Sequence, residues 1–198
     1  MVYNFFAAIS RMKYIERWAL MRNSRPETLS EHSLEVAMIA HALSVIGNVR
    51  YGHKMDAEKA ALIGIYHDAS EIITGDMPTP VKYYNSEILD AYKSVEHIAS
   101  DKLLSKLPED LKAEFTDIFK KNEDDPEELY MRKLVKAADK LSALIKCMEE
   151  KQSGNSEFRT AEESIRKKIE VLTRDYPEVR DFMEEFLPAY GKTLDELN

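Results

Sequence analysis

Between Ala60 and Pro80 an apolar helical run, AALIGIYHDASEIITGDMPTP, carries three titratable side chains within five positions: His67, Asp68 and Glu71. At 3.6 residues per turn, Glu71 lies one turn beyond both His67 and Asp68. Their neighbours Ala60, Ala61, Ile63, Gly64, Ile65 and Ile72 read as core. A chain folding around this stretch must partner these groups, because a buried charge without a partner is strongly destabilising. A bound cation is the economical partner, since imidazole and carboxylate are both metal ligands.

The rest of the chain reads as helix. Only 6 Gly and 7 Pro interrupt 198 residues, and long periodic segments predict an all-α, compact multi-helix bundle forming one domain over residues 1–198. A first helix is expected over residues 3 to about 16, with Phe5, Phe6, Ile9, Met12 and Ile15 inward, then a polar loop RNSRPET. Ser30 is the expected N-cap of a helix over about 31–47 that Gly47 and Asn48 end. Val36, Ile39, Ala40 and Leu43 form one apolar stripe on it and Leu34, Met38 and Val45 the opposite one, so this helix is expected to be central and buried.

Asp56 is placed to cap a third helix that carries His67 and Asp68 and stops at Gly75. The segment GDMPTPVKYYN reads as a rigid, non-helical loop at the mouth of any site, because two prolines stand one residue apart. Further helices are expected from Asn85 or Ser86 to about Leu107, from Pro108 to about Asn122, over about 126–151, and near 157–174 and 177–187. The helix over 126–151 buries Leu134, Ala138, Leu141, Ile145 and Met148, with Asp139 at the edge of that stripe. No strand shows period-2 alternation.

The formal charge of −8 disfavours a nucleic-acid polymer as partner. A small phosphorylated substrate remains compatible, since a local Arg or a metal overrides the global field. Cys147 is the only cysteine, which rules out an intrachain disulfide and fits a reducing compartment; it reads as an inert, half-buried side chain. No apolar run approaches a membrane span and FFAAI lacks the basic flank of a signal peptide, so a cytoplasmic location is expected.

His32, His67, Asp68 and Asp139 are polar on otherwise apolar helical surfaces. Two imidazoles and two carboxylates suit a borderline divalent ion: Mn, Fe, Co, Ni or Zn. Such a set leaves positions open for water and substrate, which marks a catalytic site rather than a structural one. Read singly, each has an ordinary structural explanation: a hydrogen-bonded HD pair, a helix-start histidine, a solvated flank beside Lys140. His41 falls on the helix face opposite His32, His53 in a loop beside Gly52, and His97 without a nearby ligand-like partner, so none of the three joins the set.

The order of the four, H then HD about 35 residues on and D about 70 residues after that, resembles the HD-domain metal-dependent phosphohydrolases. The strings ERWALMRNSRPETLSEHSLEVAMIAHAL, YHDASEIITGDMPTPVKYYN and LVKAADKLSALIKCMEE are similar to one branch, the bacterial HD-domain 5′-deoxynucleotidases, over nearly the whole length and least after about residue 155. The resemblance implies one divalent ion, cobalt or manganese, on His32, His67, Asp68 and Asp139. It implies a homodimer acting on deoxyribonucleoside 5′-monophosphates.

Under this resemblance Arg17 grips the phosphate, a guanidinium matching two oxygens bidentately, and Trp18 forms a wall that excludes the ribose 2′-hydroxyl. On the residues alone Arg17 reads first as a solvated helix-end side chain, and Trp18 also as a core tryptophan. Glu71 serves as general acid or base beside the metal, or orients a ligand histidine. Asp76, Met77, Pro78 and Thr79 contact substrate from the loop, and His32, Asp68 and Asp139 face it from the metal side. Two other readings stand beside this one: another HD phosphohydrolase (a deoxynucleotide triphosphohydrolase or a phosphodiesterase), and a non-catalytic nucleotide-binding HD module. The short chain, without a further Lys/Arg cluster near the HD helix, argues against a triphosphate.

Overall fold

A computed structural model describes residues 2–82 and 84–198, without the side chain of Thr79. The helices are α1 (Phe5–Ile9), α2 (Leu29–Tyr51), α3 (Ala57–Tyr66), α4 (Glu71–Thr74), α5 (Thr79–Lys82), α6 (Ser86–Leu104), α7 (Lys112–Phe119), α8 (Pro126–Gln152), α9 (Arg159–Asp175) and α10 (Pro177–Glu185). The all-α expectation holds, with one addition. A two-residue antiparallel pair, β1 (Glu16–Arg17) and β2 (Glu27–Thr28), ties the N-terminal segment to the start of α2.

The 23-residue α2 and the 27-residue α8 form the centre, and α3 packs on both. α8 starts as the sequence dictates: Pro126 occupies its first turn and Asp125 accepts the amides of Glu127 and Glu128. Its predicted stripe is buried at Leu134, Ala138, Leu141 and Ile145, and packs on Val36, Ile39, Ala40 and Leu43 of α2 in one core cluster, with Met148 at the margin.

α2 differs from expectation at both ends and on one face. Its cap is Thr28, not Ser30: Thr28 accepts the Glu31 amide while Glu31 reaches back to Thr28, a reciprocal capping box. Gly47 does not end the helix. It lies inside it, where a β-carbon would run into Met55 and Glu178, and α2 continues to a left-handed Gly52. Leu34, Met38 and Val45 face outward, with Leu34 and Met38 each 59% exposed.

The expected first helix breaks after Ile9 into a 3-10 segment and then β1, because the chain turns to pair with β2. Phe5 and Met12 are buried as expected, but Phe6 is exposed. Pro108 precedes α7 by four residues instead of opening it, and the segment after Gly75 contains the single-turn α5.

The HD helix is also broken. α3 ends at Tyr66, and residues 67–70 form tight turns in which Ala69 bonds back to Tyr66 and Glu71 to Asp68. His67 Nδ1 donates to the Gly64 carbonyl at 2.7 Å, which occupies the acceptor a continuing helix would offer to Asp68. Gly64 itself sits against α2, leaving no room for a side chain.

Candidate metal and substrate site

The break in the HD helix brings His67 and Asp68 to His32 on α2. His67 Nε2 lies 3.0 Å from Asp68 Oδ2, and His32 Nε2 lies 3.7 Å from the same oxygen. One ligand atom each from His32, His67 and Asp68 falls within 4.8 Å of the others. The imidazole rings stand 5.3 Å apart. Asp139 on α8 joins through His32, its Oδ1 3.3 Å from Nε2, while Lys140 holds its other oxygen at 2.7 Å.

The donors fit a cation. His32 Nε2 and His67 Nε2 are buried without a well-aligned hydrogen bond, facing carboxylate oxygens at 3.3 Å and 3.0 Å, an arrangement that a cation between them would satisfy. The Nδ1 of His67 is committed to a carbonyl, so Nε2 is the atom left for a ligand role.

The local charges point the same way. Burial drops His32 to about 4, helped by Arg17, so its ring is neutral. Burial opposes charge on His67 too, but Asp68 and Asp139 outweigh it and push His67 up to about 9. Burial would raise Asp68 and Asp139; the histidines, with Lys140 beside Asp139, hold both below the ordinary carboxylate value. Two ionised carboxylates around one imidazolium are a place where a divalent ion competes well with a proton.

Glu71 opens α4 one turn on. It is 6% exposed and its Oε2 has no partner. Burial, then Asp68 and Asp76, push it up to about 9, so it carries a proton at neutral pH.

Arg17 ends β1 and Trp18 follows it at the same site. Arg17 Nη1 donates to Glu27 Oε2 at 2.9 Å, and Trp18 Nε1 donates to that same oxygen at 3.1 Å. Burial disfavours the Arg17 charge, but Glu27, Asp139, Asp68 and Asp76 more than compensate. Trp18 adopts a left-handed backbone with φ 59°, rare for a bulky residue. Asn23 and Met21 bond its carbonyl, and Phe158 packs its ring at 5.3 Å between centroids. Trp18 is therefore a packed residue as well as a neighbour of the site. Burial raises the half-buried Asp76, which accepts the Trp18 amide.

Met77 and Pro78 are half-buried in the link to α5, with no polar contact to the cluster among the described residues. The Thr79 side chain lies outside the described residues. His41 and His97 are exposed, and His53 stacks on Tyr130 between Glu127 and Glu178, away from the site. Cys147 is fully buried rather than half-buried, and burial pushes its thiol up to about 12, which fits an inert side chain.

Three residues escaped the sequence reading. Glu27 ties Arg17 to Trp18; Ser142 Oγ stands 3.0 Å from His32 Nδ1; Glu35 accepts from Ser142 at 2.6 Å. Only Ser142 left a signal, as a hydroxyl one turn beyond Asp139 within an apolar stripe.

A family model described as "5'-deoxynucleotidase YfbR-like" matches residues 4–190. The chain belongs to this family. Among the family's relatives, the 5'-deoxynucleotidase YfbR of Salmonella typhi is 48% identical over 98% of this chain and 96% of its own length. Among solved structures, an HD-domain phosphohydrolase from Listeria innocua matches with a TM-score of 0.79 at 24% identity, covering 94% of this chain and 88% of that one. A cyanophage S-2L HD phosphohydrolase, described as bound to dA and one catalytic Zn2+ ion, matches with a TM-score of 0.65 at 20% identity, covering 94% of this chain and 96% of that one. At those identities the two structures speak for the fold. Among the described residues, no helix is long and apolar enough to cross a membrane.

Proposed function

We propose that the chain is a metal-dependent 5′-deoxynucleotidase, a phosphoric monoester hydrolase that converts deoxyribonucleoside 5′-monophosphates to a deoxynucleoside and inorganic phosphate. The observation that carries the reading is the convergence of His32, His67 and Asp68 with two buried ring nitrogens that lack a well-aligned hydrogen bond, in a chain so similar to named 5'-deoxynucleotidases.

His32, His67, Asp68 and Asp139 would hold one divalent ion, cobalt or manganese by preference, with zinc, nickel and iron(II) also suited to the donors. Bound there, the ion supplies Lewis-acid polarisation of the phosphoryl group and acidifies water. Arg17, preset by Glu27, grips the phosphate through its remaining guanidinium donors. Trp18 walls the sugar, and Asp76, Met77, Pro78 and Thr79 line the approach. Glu71 holds and passes a proton at Oε2, the buried atom that has no partner.

The protein works in the cytoplasm as a homodimer. The outward Leu34, Met38 and Val45 on α2 support the second part, because an apolar stripe of that kind favours a partner over water; light scattering that returns a monomer refutes it.

The test is phosphate release from dAMP, AMP, dATP and a cyclic nucleotide by chelator-stripped protein supplied with Co2+ or Mn2+. Hydrolysis of dAMP well above AMP, restored by one ion per subunit, is expected. Turnover of dATP or the cyclic nucleotide with none of dAMP places the chain in another branch of the superfamily, and no turnover of any refutes the enzyme.

A further inference from the structure

One helix faces both ring nitrogens of His32. Asp139 and Ser142 stand three positions apart on the same face of α8. Asp139 Oδ1 is 3.3 Å from Nε2, and Ser142 Oγ is 3.0 Å from Nδ1. His32 and Ser142 are both fully buried, so water does not substitute for either contact. Glu27 Oε1 lies 4.0 Å from Nδ1, beyond hydrogen-bond reach.

The direction of the bonds follows from counting protons. A hydroxyl has one, and while Glu35 is ionised, above the value of about 7 to which burial raises it, that of Ser142 goes to Glu35 Oε2 at 2.6 Å. Towards His32 the oxygen then has only lone pairs to offer, so Nδ1 must carry the hydrogen. A neutral imidazole carries a single N–H, which leaves Nε2 with its lone pair, facing Asp68 and His67.

Without this chain the opposite tautomer would be favoured. Hydrogen on Nε2 would be donated to Asp139 Oδ1, and the lone pair would point away from the site. We propose that Ser142 and Glu35 are positioning residues whose ordered chain, Nδ1–H to Oγ–H to carboxylate, fixes His32 in the tautomer that presents Nε2 to a cation. The consequence for the ion rests on reading His32, His67 and Asp68 as a metal centre; the tautomer does not.

The test separates the two. Long-range proton–nitrogen NMR of the metal-free protein assigns the His32 tautomer, and competition with a chromogenic chelator measures Co2+ affinity. Above about pH 7, where Glu35 is ionised, wild type should carry hydrogen on Nδ1. Ser142→Ala should move it to Nε2 and weaken Co2+ binding about 10- to 100-fold, the range seen when such outer partners are lost. Glu35→Gln keeps the volume but offers an amide that donates as well as accepts, so it should give mixed tautomers even if Ser142→Ala fails to fold. Wild type with hydrogen on Nε2 overturns the proposal. So does either variant with an unaltered tautomer and Co2+ affinity. Wild type with hydrogen on Nδ1 that takes up no Co2+ supports the positioning chain and counts against the metal centre.

Discussion

Gly64 on α3 meets Ala37 on α2 backbone to backbone: a β-carbon at Gly64 would stand 2.7 Å from the Ala37 Cα and 2.9 Å from its nitrogen. The same residue's carbonyl anchors the His67 ring. The spacing of the two helices thus sets where His67 stands relative to His32.

Gly64→Ala tests this. Alanine normally gains up to about 1 kcal/mol over glycine inside a helix. Forcing backbone atoms apart costs roughly 1–3 kcal/mol, and no flexible side chain is there to give way. The variant should therefore lose stability in urea, and the displaced His67 should weaken Co2+ uptake. A variant as stable as wild type, with unchanged metal affinity, would show that the contact is not tight.

Glu27→Ala removes the single oxygen on which Arg17 and Trp18 converge. Hydrogen bonds to a charged group are worth about 1.5–3 kcal/mol each, so a rise in KM for dAMP of about tenfold or more is expected. Trp18 is the only tryptophan, and its fluorescence reports directly on the lost tether. Glu27→Gln, which keeps an acceptor, should fall between. A shifted spectrum without any change in KM would separate the indole's packing from substrate binding.

How much of this was legible in the sequence differs residue by residue. The α8 stripe was, because helical periodicity records it directly, whereas the order His32, His67, Asp68, Asp139 pointed to a metal centre only through its resemblance to a known family. The turn at 67–70 was not: the local pattern favours a continuous helix, and the side-chain bond from His67 to Gly64 that stops it leaves no periodic trace. Thr28 displaced Ser30 as cap because the β1–β2 pair fixes where α2 begins. Glu27 was hidden for the same reason, since a two-residue strand pair has no period to detect. Leu34 and Met38 show the limit of hydrophobicity alone, which marks an apolar face without saying what covers it.

Glu150 makes stability depend on acid. It is 1% exposed, and although burial alone would raise it, Lys146, the Ser24 amide and Asn155 hold it at about 2. A depressed carboxylate contributes stability above its unfolded value, about 4.3, and loses it as pH falls through the folded value. Glu150→Gln also leaves Lys146, 4% exposed, with a buried charge lacking its partner, a loss on the order of 3 kcal/mol at pH 7. Denaturant curves for wild type and variant should converge between about pH 5 and pH 2. A gap independent of pH across that window would assign the effect to packing.

Asp68→Asn and Glu71→Gln should both abolish phosphate release, for different reasons. Asp68 is the carboxylate that stands beside both ring nitrogens, 3.0 Å from His67 Nε2 and 3.7 Å from His32 Nε2, and an amide there removes the charge that balances a cation. That variant should lose metal uptake along with turnover. Saturating Co2+, worth about 2.7 kcal/mol at a hundred times Kd, should accordingly raise the Tm of stripped wild type and leave that of Asp68→Asn nearly unmoved. Glu71 carries a proton and is not in the ligand group, so Glu71→Gln should still take up one ion and show the Tm rise while releasing no phosphate. The helical circular dichroism spectrum should stay native in both. Full activity in Glu71→Gln would mean that the proton comes from elsewhere, and full activity in Asp68→Asn would dissolve the metal site itself.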